Sequence, residues 1–196
     1  AYWDQLKPSA AQFAQVDIPI LSISGYYDEA LRGVRYWDQN LRRNASPETI
    51  QNNYLVVGPW DHGGAAQSIT PRETRGIDMG DQAILHNQQL QVDWYRHTLA
   101  GGPRPEFLKD NFAYFVMGAN RWKYAPSPNV ADTHLKLYLN SSGYANDVFR
   151  SGWMQDTPPE SSTPDSYTYD PLDNRFGELR IEAAPGRHRL SDQRIA

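Results

Sequence analysis

The chain reads as an α/β domain followed by a β domain, because strand-like and helix-like patterns alternate over Ala1–Ala100 and give way to short alternating runs over Phe107–Ala196. Two near-continuous apolar runs, Ile18–Ser24 and Tyr54–Val57, predict strands covered on both faces, as in a parallel sheet. Between them, Leu31, Val34, Trp37 or Asp38, and Leu41 recur at helical spacing, so Glu29–Arg43 is expected to be a crossover helix packed on that sheet. The change of texture falls in Gly101–Glu106 and divides the sequence into residues 1–102 and 103–196.

Taken in order, Gly25 is expected to turn the chain after the first strand, and Arg42 and Arg43 suit the carboxyl end of the helix. Gly58-Pro59 is expected to stop the second strand. After the polar stretch Gly63–Gly80, Asp81–Leu99 is the strongest helical pattern, with Leu85, Gln88, Val92, Tyr95 and Leu99 along one side and Gly101, Gly102 and Pro103 ending it. Beyond the boundary, Phe112–Met117 and His134–Leu139 alternate as strands, Asn140–Gly143 reads as a turn, Thr157–Asp165 as a proline-rich surface loop, and Tyr167–Tyr169 as a further short strand. No internal repeat is evident.

At 196 residues with 39% apolar and 12% aromatic content, the chain can bury a core. A net charge of −4 from 19 basic and 23 acidic side chains, without a basic block, gives no footprint for nucleic acid or anionic lipid, so neither is expected as a partner. The absence of cysteine excludes disulfides and thiolate metal sites but does not fix the compartment. Apolar runs such as Ile18–Ile23 are too short to span a bilayer, and Ala1–Gln15 does not have the form of an export signal.

Asp28 lies just beyond the first strand and His62 just beyond the second, which sets a carboxylate and an imidazole on the same rim of the sheet. A carboxylate that accepts a hydrogen bond from one imidazole nitrogen fixes the tautomer and leaves the other nitrogen to take a proton from a nucleophile. Read singly, Asp28 is a turn former and His62 a loop histidine; on consecutive strand ends they are candidate catalytic residues. No stretch reads G-x-S-x-G, the turn that presents a nucleophilic serine. The chain therefore reads as the C-terminal part of a larger enzyme. Asp61 is expected to be badly placed to partner His62, since adjacent side chains diverge on an extended backbone.

GYYD after one apolar strand, GPWDHGG after the next, VDWYRHTLAGG in a helix and YFVMGANRW in a β-segment resemble the group of cocaine esterase, glutaryl-type cephalosporin acylase and α-amino-acid ester hydrolases, and more distantly X-prolyl dipeptidyl peptidases. The likeness covers most of Ile18–Leu139. It implies the C-terminal part of an α/β-hydrolase domain, with Asp28 as acid and His62 as general base, followed by the start of a jelly-roll-like β-sandwich domain. It also implies a small-molecule ester or amide substrate, no cofactor, and a serine and oxyanion donors upstream of this chain, so the N-terminal part of the enzyme would be needed and this part alone inactive. In the α-amino-acid ester hydrolases the loop after the acid carries further carboxylates for a substrate ammonium. Here the positions read Glu29, Ala30 and Leu31, with the one acid expected to point elsewhere, which favours a neutral ester or an acyl amide with Ala30 and Leu31 lining the pocket.

His86, Asp93 and His97 share one helix face, but that face is expected to be solvated and no metal site is assigned to it. Leu90 and Trp94, on the same outer side, are expected to contact the β domain. Trp60, Trp122 and Trp153 are candidate pocket aromatics, with core filling as the alternative; Trp60 is the one placed beside the candidate site. Asn120-Arg121-Trp122 is expected to be structural. Two rival functions are a carbohydrate- or peptide-binding jelly-roll module and an X-prolyl dipeptidyl peptidase of the same fold.

Overall fold

The structure is a computed structural model describing residues 6–131, 133–142 and 152–160, together with residues 2, 145, 164–166 and 172. Its centre is the strand Asn53–Asp61, every residue of which is buried. Counting from the amino end, the first unit contains α1 (Ala10–Phe13), β1 (Ile20–Tyr27), α2 (Leu31–Asn44), α3 (Pro47–Gln51) and that strand, β2. There follow α4 (His62–Ala65), the hairpin strands β3 (Glu73–Thr74) and β4 (Ile77–Asp78), a 3-10 turn (Asp81–Ala83), α5 (Asn87–Ala100), β5 (Phe112–Val116) and β6 (Arg121–Ala125).

The sheet runs β1-β2-β5-β6, with β1, β2 and β5 parallel and β6 antiparallel to β5. Alternation along β2 supplies both faces of the core. Tyr54, Val56 and Trp60 pack with Leu90 and Trp94 of α5, whereas Leu55 and Val57 pack with Phe112 and, from α2, Leu31 and Val34. Of the two alternatives on α2, Asp38 turns inward: it accepts two hydrogen bonds from Arg42 Nε (2.9 and 3.0 Å) and one from Asn53 Nδ2 (2.9 Å). Trp37 stays half-exposed and meets the ring of Phe13 edge-on at 5.0 Å.

Both strands run further than expected. Gly25 lies inside β1, not at a turn after it; a Cβ there would sit 1.9 Å from the carbonyl oxygen of Trp60, so glycine is required by a close backbone approach. Gly58-Pro59 does not stop β2 either. The β1–β2 register slips between Gly25 and Tyr27, from the pair Gly25↔Gly58 to the pair Tyr27↔Asp61, and this irregularity takes up Pro59, which has no N–H for a ladder.

The helix expected over Asp81–Leu99 begins at Asn87, because Asp81–Ala83 closes a 3-10 turn first; Gly101 ends it in the left-handed conformation at φ 67°. Its inner face is the reverse of the expected one. Leu90 and Trp94 are buried in the core and Val92, Tyr95 and Leu99 are exposed, so one Trp–Leu pair at i, i+4 covers the sheet in place of a longer, thinner stripe.

The first compact unit takes in Ala1–Pro128 and the second spans Asn129–Arg180. The sheet therefore continues past Gly101–Glu106, where texture placed the boundary: β5 joins β2 through Leu55↔Phe112, Val56↔Ala113 and Val57↔Tyr114. In the second unit β7 (Tyr138–Asn140) pairs antiparallel with β8 (Trp153–Gln155), so only the end of His134–Leu139 is strand and Asn140 belongs to the strand rather than to a turn. Gly143, residues 161–163 of the proline-rich loop and Tyr167–Tyr169 lie outside the described residues. Among the described residues no helix is long and apolar enough to cross a membrane.

Candidate active site

The last aligned pair of the β1–β2 ladder is Tyr27↔Asp61, and the next residue on each chain is Asp28 and His62. Two side chains that follow paired positions on adjacent strands emerge side by side, and here His62 Nδ1 lies 3.0 Å from Asp28 Oδ1. The carboxylate is held from three directions. Ala30 N–H donates to Oδ1 at 2.8 Å, Ser24 Oγ donates to Oδ2 at 3.0 Å, and the His62 Nδ1–H completes the set. An ionised carboxylate only accepts, so the imidazole proton sits on Nδ1 and Nε2 is left with a free lone pair.

Burial pushes the Asp28 carboxyl up, but the Ala30 N–H, the His62 imidazole and the Ser24 hydroxyl together hold it below the ordinary carboxylate range. The hydrogen bond to Asp28, and then its charge, raise the His62 imidazole above the ordinary histidine range, with Glu29 and Asp61 adding in the same direction. Asp28 is 5% exposed at its side chain and His62 is 66% exposed, so a sunken acid orients an imidazole that solvent and solutes reach.

Asp61 does not compete for the imidazole: its Oδ1 accepts from Gly64 N–H at 2.7 Å and caps α4, the short helix that His62 opens. Glu29 does not point away as expected; one of its carboxylate oxygens lies within 4.8 Å of the ligand atoms of both Asp28 and His62. Ala30 contributes its backbone N–H to Asp28, and Leu31 lines a groove of about 620 Å3 with Asp28, Glu29, Arg32, Arg35, Tyr36 and Gln39.

Trp60 is not a pocket wall. It is 0% exposed, its indole N–H donates to Ala83 O at 2.9 Å, and its ring lies 5.8 Å from that of Trp122. A Cβ on Gly58 would lie 2.4 Å from the same ring, so that glycine makes room for it. Trp122 donates to Gln82 O at 2.8 Å and packs on Phe107 and Phe115. His86, Asp93 and His97 are not gathered: Asp93 takes hydrogen bonds from Gln89 and Arg96, and His97 Nδ1 bonds Gly102 O at 2.8 Å. Two supporting residues were not anticipated. Ser24 is a buried hydroxyl in an apolar strand that also carries Ser22, and such a hydroxyl signals that an acceptor lies near; Arg75, from the β3–β4 turn, sets its guanidinium 5.8 Å from the ring centre of Tyr27.

No family model matches the chain. Among curated proteins it is similar to cocaine esterase of Rhodococcus sp. (strain MB1 Bresler), 26% identical over 161 residues, which cover 79% of this chain and 26% of that enzyme. The likeness is thus to a hydrolase, of whose length the chain spans about a quarter. Among solved structures, the crystal structure of an aminopeptidase from a marine sediment archaeon, Thaumarchaeota archaeon, aligns with a TM-score of 0.48 at 21% identity, covering 72% of this chain and 22% of that one.

Proposed function

We propose that Asp28 and His62 are the acid and the general base of a serine hydrolase that cleaves ester or amide bonds through an acyl-enzyme. The 3.0 Å Nδ1–Oδ1 contact carries the reading, because it puts the imidazole proton on the buried side and the basic Nε2 toward solvent. In such a reaction Nε2 takes the serine proton during attack and returns it to the leaving group, while Asp28 stabilises the imidazolium that forms between the two steps. Deacylation repeats the cycle with water.

The nucleophile and the oxyanion donors are proposed to come from polypeptide outside these 196 residues, and the chain by itself to be inactive. Two features support this. Among the described residues His62 makes its one side-chain hydrogen bond to Asp28, and β1 is an edge strand with one side unpaired, flanked by the Leu31–Gln39 groove on the α2 side and by a second groove running from Ile18 to Tyr95. A further strand docked on β1 would complete the sheet and bring a reactive group to the rim. On this reading the first compact unit is part of an α/β-hydrolase domain and the second the start of a jelly-roll-like β domain.

The test uses the polypeptide that carries the serine. Asp28→Asn and His62→Ala are each expected to lower kcat/KM for a simple ester by about 10⁴-fold. Near wild-type values in both variants end the reading. Glu29 favours a second reading of the substrate, one that bears an ammonium group, since its carboxylate shares the rim with His62. An α-amino ester hydrolysed no faster than its N-acyl counterpart, with the ratio unchanged in Glu29→Gln, refutes that version.

A further inference from the structure

We propose that Asp28, Glu29 and His62 form a binding site for a Zn2+-type divalent cation. One imidazole nitrogen and two carboxylate oxygens, all within 4.8 Å of one another, are the donor types that Zn2+ takes, and two carboxylates neutralise its charge. Hard cations such as Mg2+ and Ca2+ prefer oxygen-only shells and are disfavoured by the imidazole.

The distances fit with little movement. Two ligands at about 2.1 Å from a tetrahedral zinc lie about 3.4 Å apart. His62 Nδ1 and Asp28 Oδ1 already stand 3.0 Å apart, with a proton between them. A cation entering here replaces that proton, which leaves to water, so it takes no lone pair that Asp28 uses elsewhere. The two remaining hydrogen bonds to Asp28, from Ala30 N–H and Ser24 Oγ, stay in place and aim the carboxylate, as outer-shell partners do at metal centres.

Glu29 is the mobile arm. It is exposed and has no hydrogen bond or ion pair to a described residue, so its carboxylate swings onto the cation without breaking a contact. The 66% exposure of His62 gives a hydrated ion direct access, and three protein ligands leave the fourth position to water. The site itself rests on this geometry alone; only its consequence rests on the hydrolase reading. With the cation on Nδ1, the imidazole loses its hydrogen bond to Asp28 and leaves the proton relay, which makes the site inhibitory.

The experiment is a Zn2+ titration of the 196-residue chain by calorimetry in a non-chelating buffer, followed in parallel by the imidazole NMR signals of its five histidines. The proposal expects one site, perturbation of the His62 signals, loss of binding in His62→Ala and an affinity at least about tenfold weaker in Glu29→Gln. No saturable binding, unchanged affinity in Glu29→Gln, or binding that survives His62→Ala with perturbation of other histidines overturns it. Both substituted side chains are exposed, and an unchanged circular dichroism spectrum verifies that the variants are folded. None of these readouts needs a nucleophile. Their failure leaves the hydrolase reading standing, and failure of the activity test leaves the metal site standing.

Discussion

Replacing Gly25 by alanine tests how the candidate site is held. A Cβ at this position would lie 1.9 Å from the Trp60 carbonyl oxygen and 2.6 Å from its carbonyl carbon. An ordinary carbon–oxygen contact is about 3.3 Å, so the strands must part by about 1.4 Å. No side chain can rotate to relieve a clash with backbone. Opening the ladder by that much stretches its N···O distances from about 2.9 Å to beyond 4 Å, and two or three rungs at about 1 kcal/mol each are lost. The expected cost is about 3 kcal/mol, at the upper end of overpacking penalties. In urea, with a slope of about 2 kcal/mol per molar, the unfolding midpoint of Gly25→Ala should fall by about 1.5 M. Because the clash lies two residues before Tyr27↔Asp61, the Asp28–His62 contact should loosen as well, and the His62 imidazole should titrate closer to the ordinary histidine range. A midpoint within about 0.2 M of wild type, with an unaltered His62 titration, refutes the close-approach argument.

Asp28→Asn keeps the shape but removes the charge, so the raised His62 titration should return toward the ordinary range by NMR; an imidazole that stays raised would show that Glu29 and Asp61 are sufficient. The linked stability has two signs. The His62 part is fully present below the unfolded-state histidine pKa and disappears as pH rises through the raised folded value, whereas the Asp28 part is present above the ordinary carboxylate pKa and disappears as pH falls through the lowered one. Denaturation of Asp28→Asn across pH should therefore lose the Asp28 slope and shrink the His62 slope, and retention of either at full size assigns it to another group. On α5, Leu90→Ala should destabilise by about 2–5 kcal/mol while Leu99→Ala stays within about 0.5 kcal/mol; the opposite order would restore the stripe read from the sequence.

The pair Asp28 and His62 was legible because each follows an apolar run that is buried in the sheet, and strand ends are where an α/β sheet displays chemistry. What failed was punctuation. Gly25 and Gly58 look like turn residues, yet Gly25 yields to the Trp60 carbonyl on the neighbouring strand, a contact far apart in sequence, and Gly58 yields to the ring of Trp60 two positions on, which folds back over it. On α5 periodicity points to the wrong face, because it counts apolar positions, while the buried area of a single tryptophan outweighs several smaller side chains. Strands β5 and β6 alternate like any antiparallel pair, and nothing local reveals that β5 also lies parallel to β2. Adjacency to Asp28 suggests that Glu29 points elsewhere, but β1 ends at Tyr27 and both carboxylates lie on the loop that follows it.

The rung Tyr27↔Asp61 makes the spacing of Asp28 and His62 a matter of counting rather than of loop shape. Successive strand residues face opposite ways, so deleting one residue between Ile20 and Ser24 while Ile20 stays paired with Asn53 would turn the carboxylate to the wrong side of the sheet. Deleting two would restore its direction but withdraw it by about 6.6 Å, out of reach of the imidazole. Length variation is thus forbidden in β1, a constraint that any natural or designed relative sharing the pair must obey.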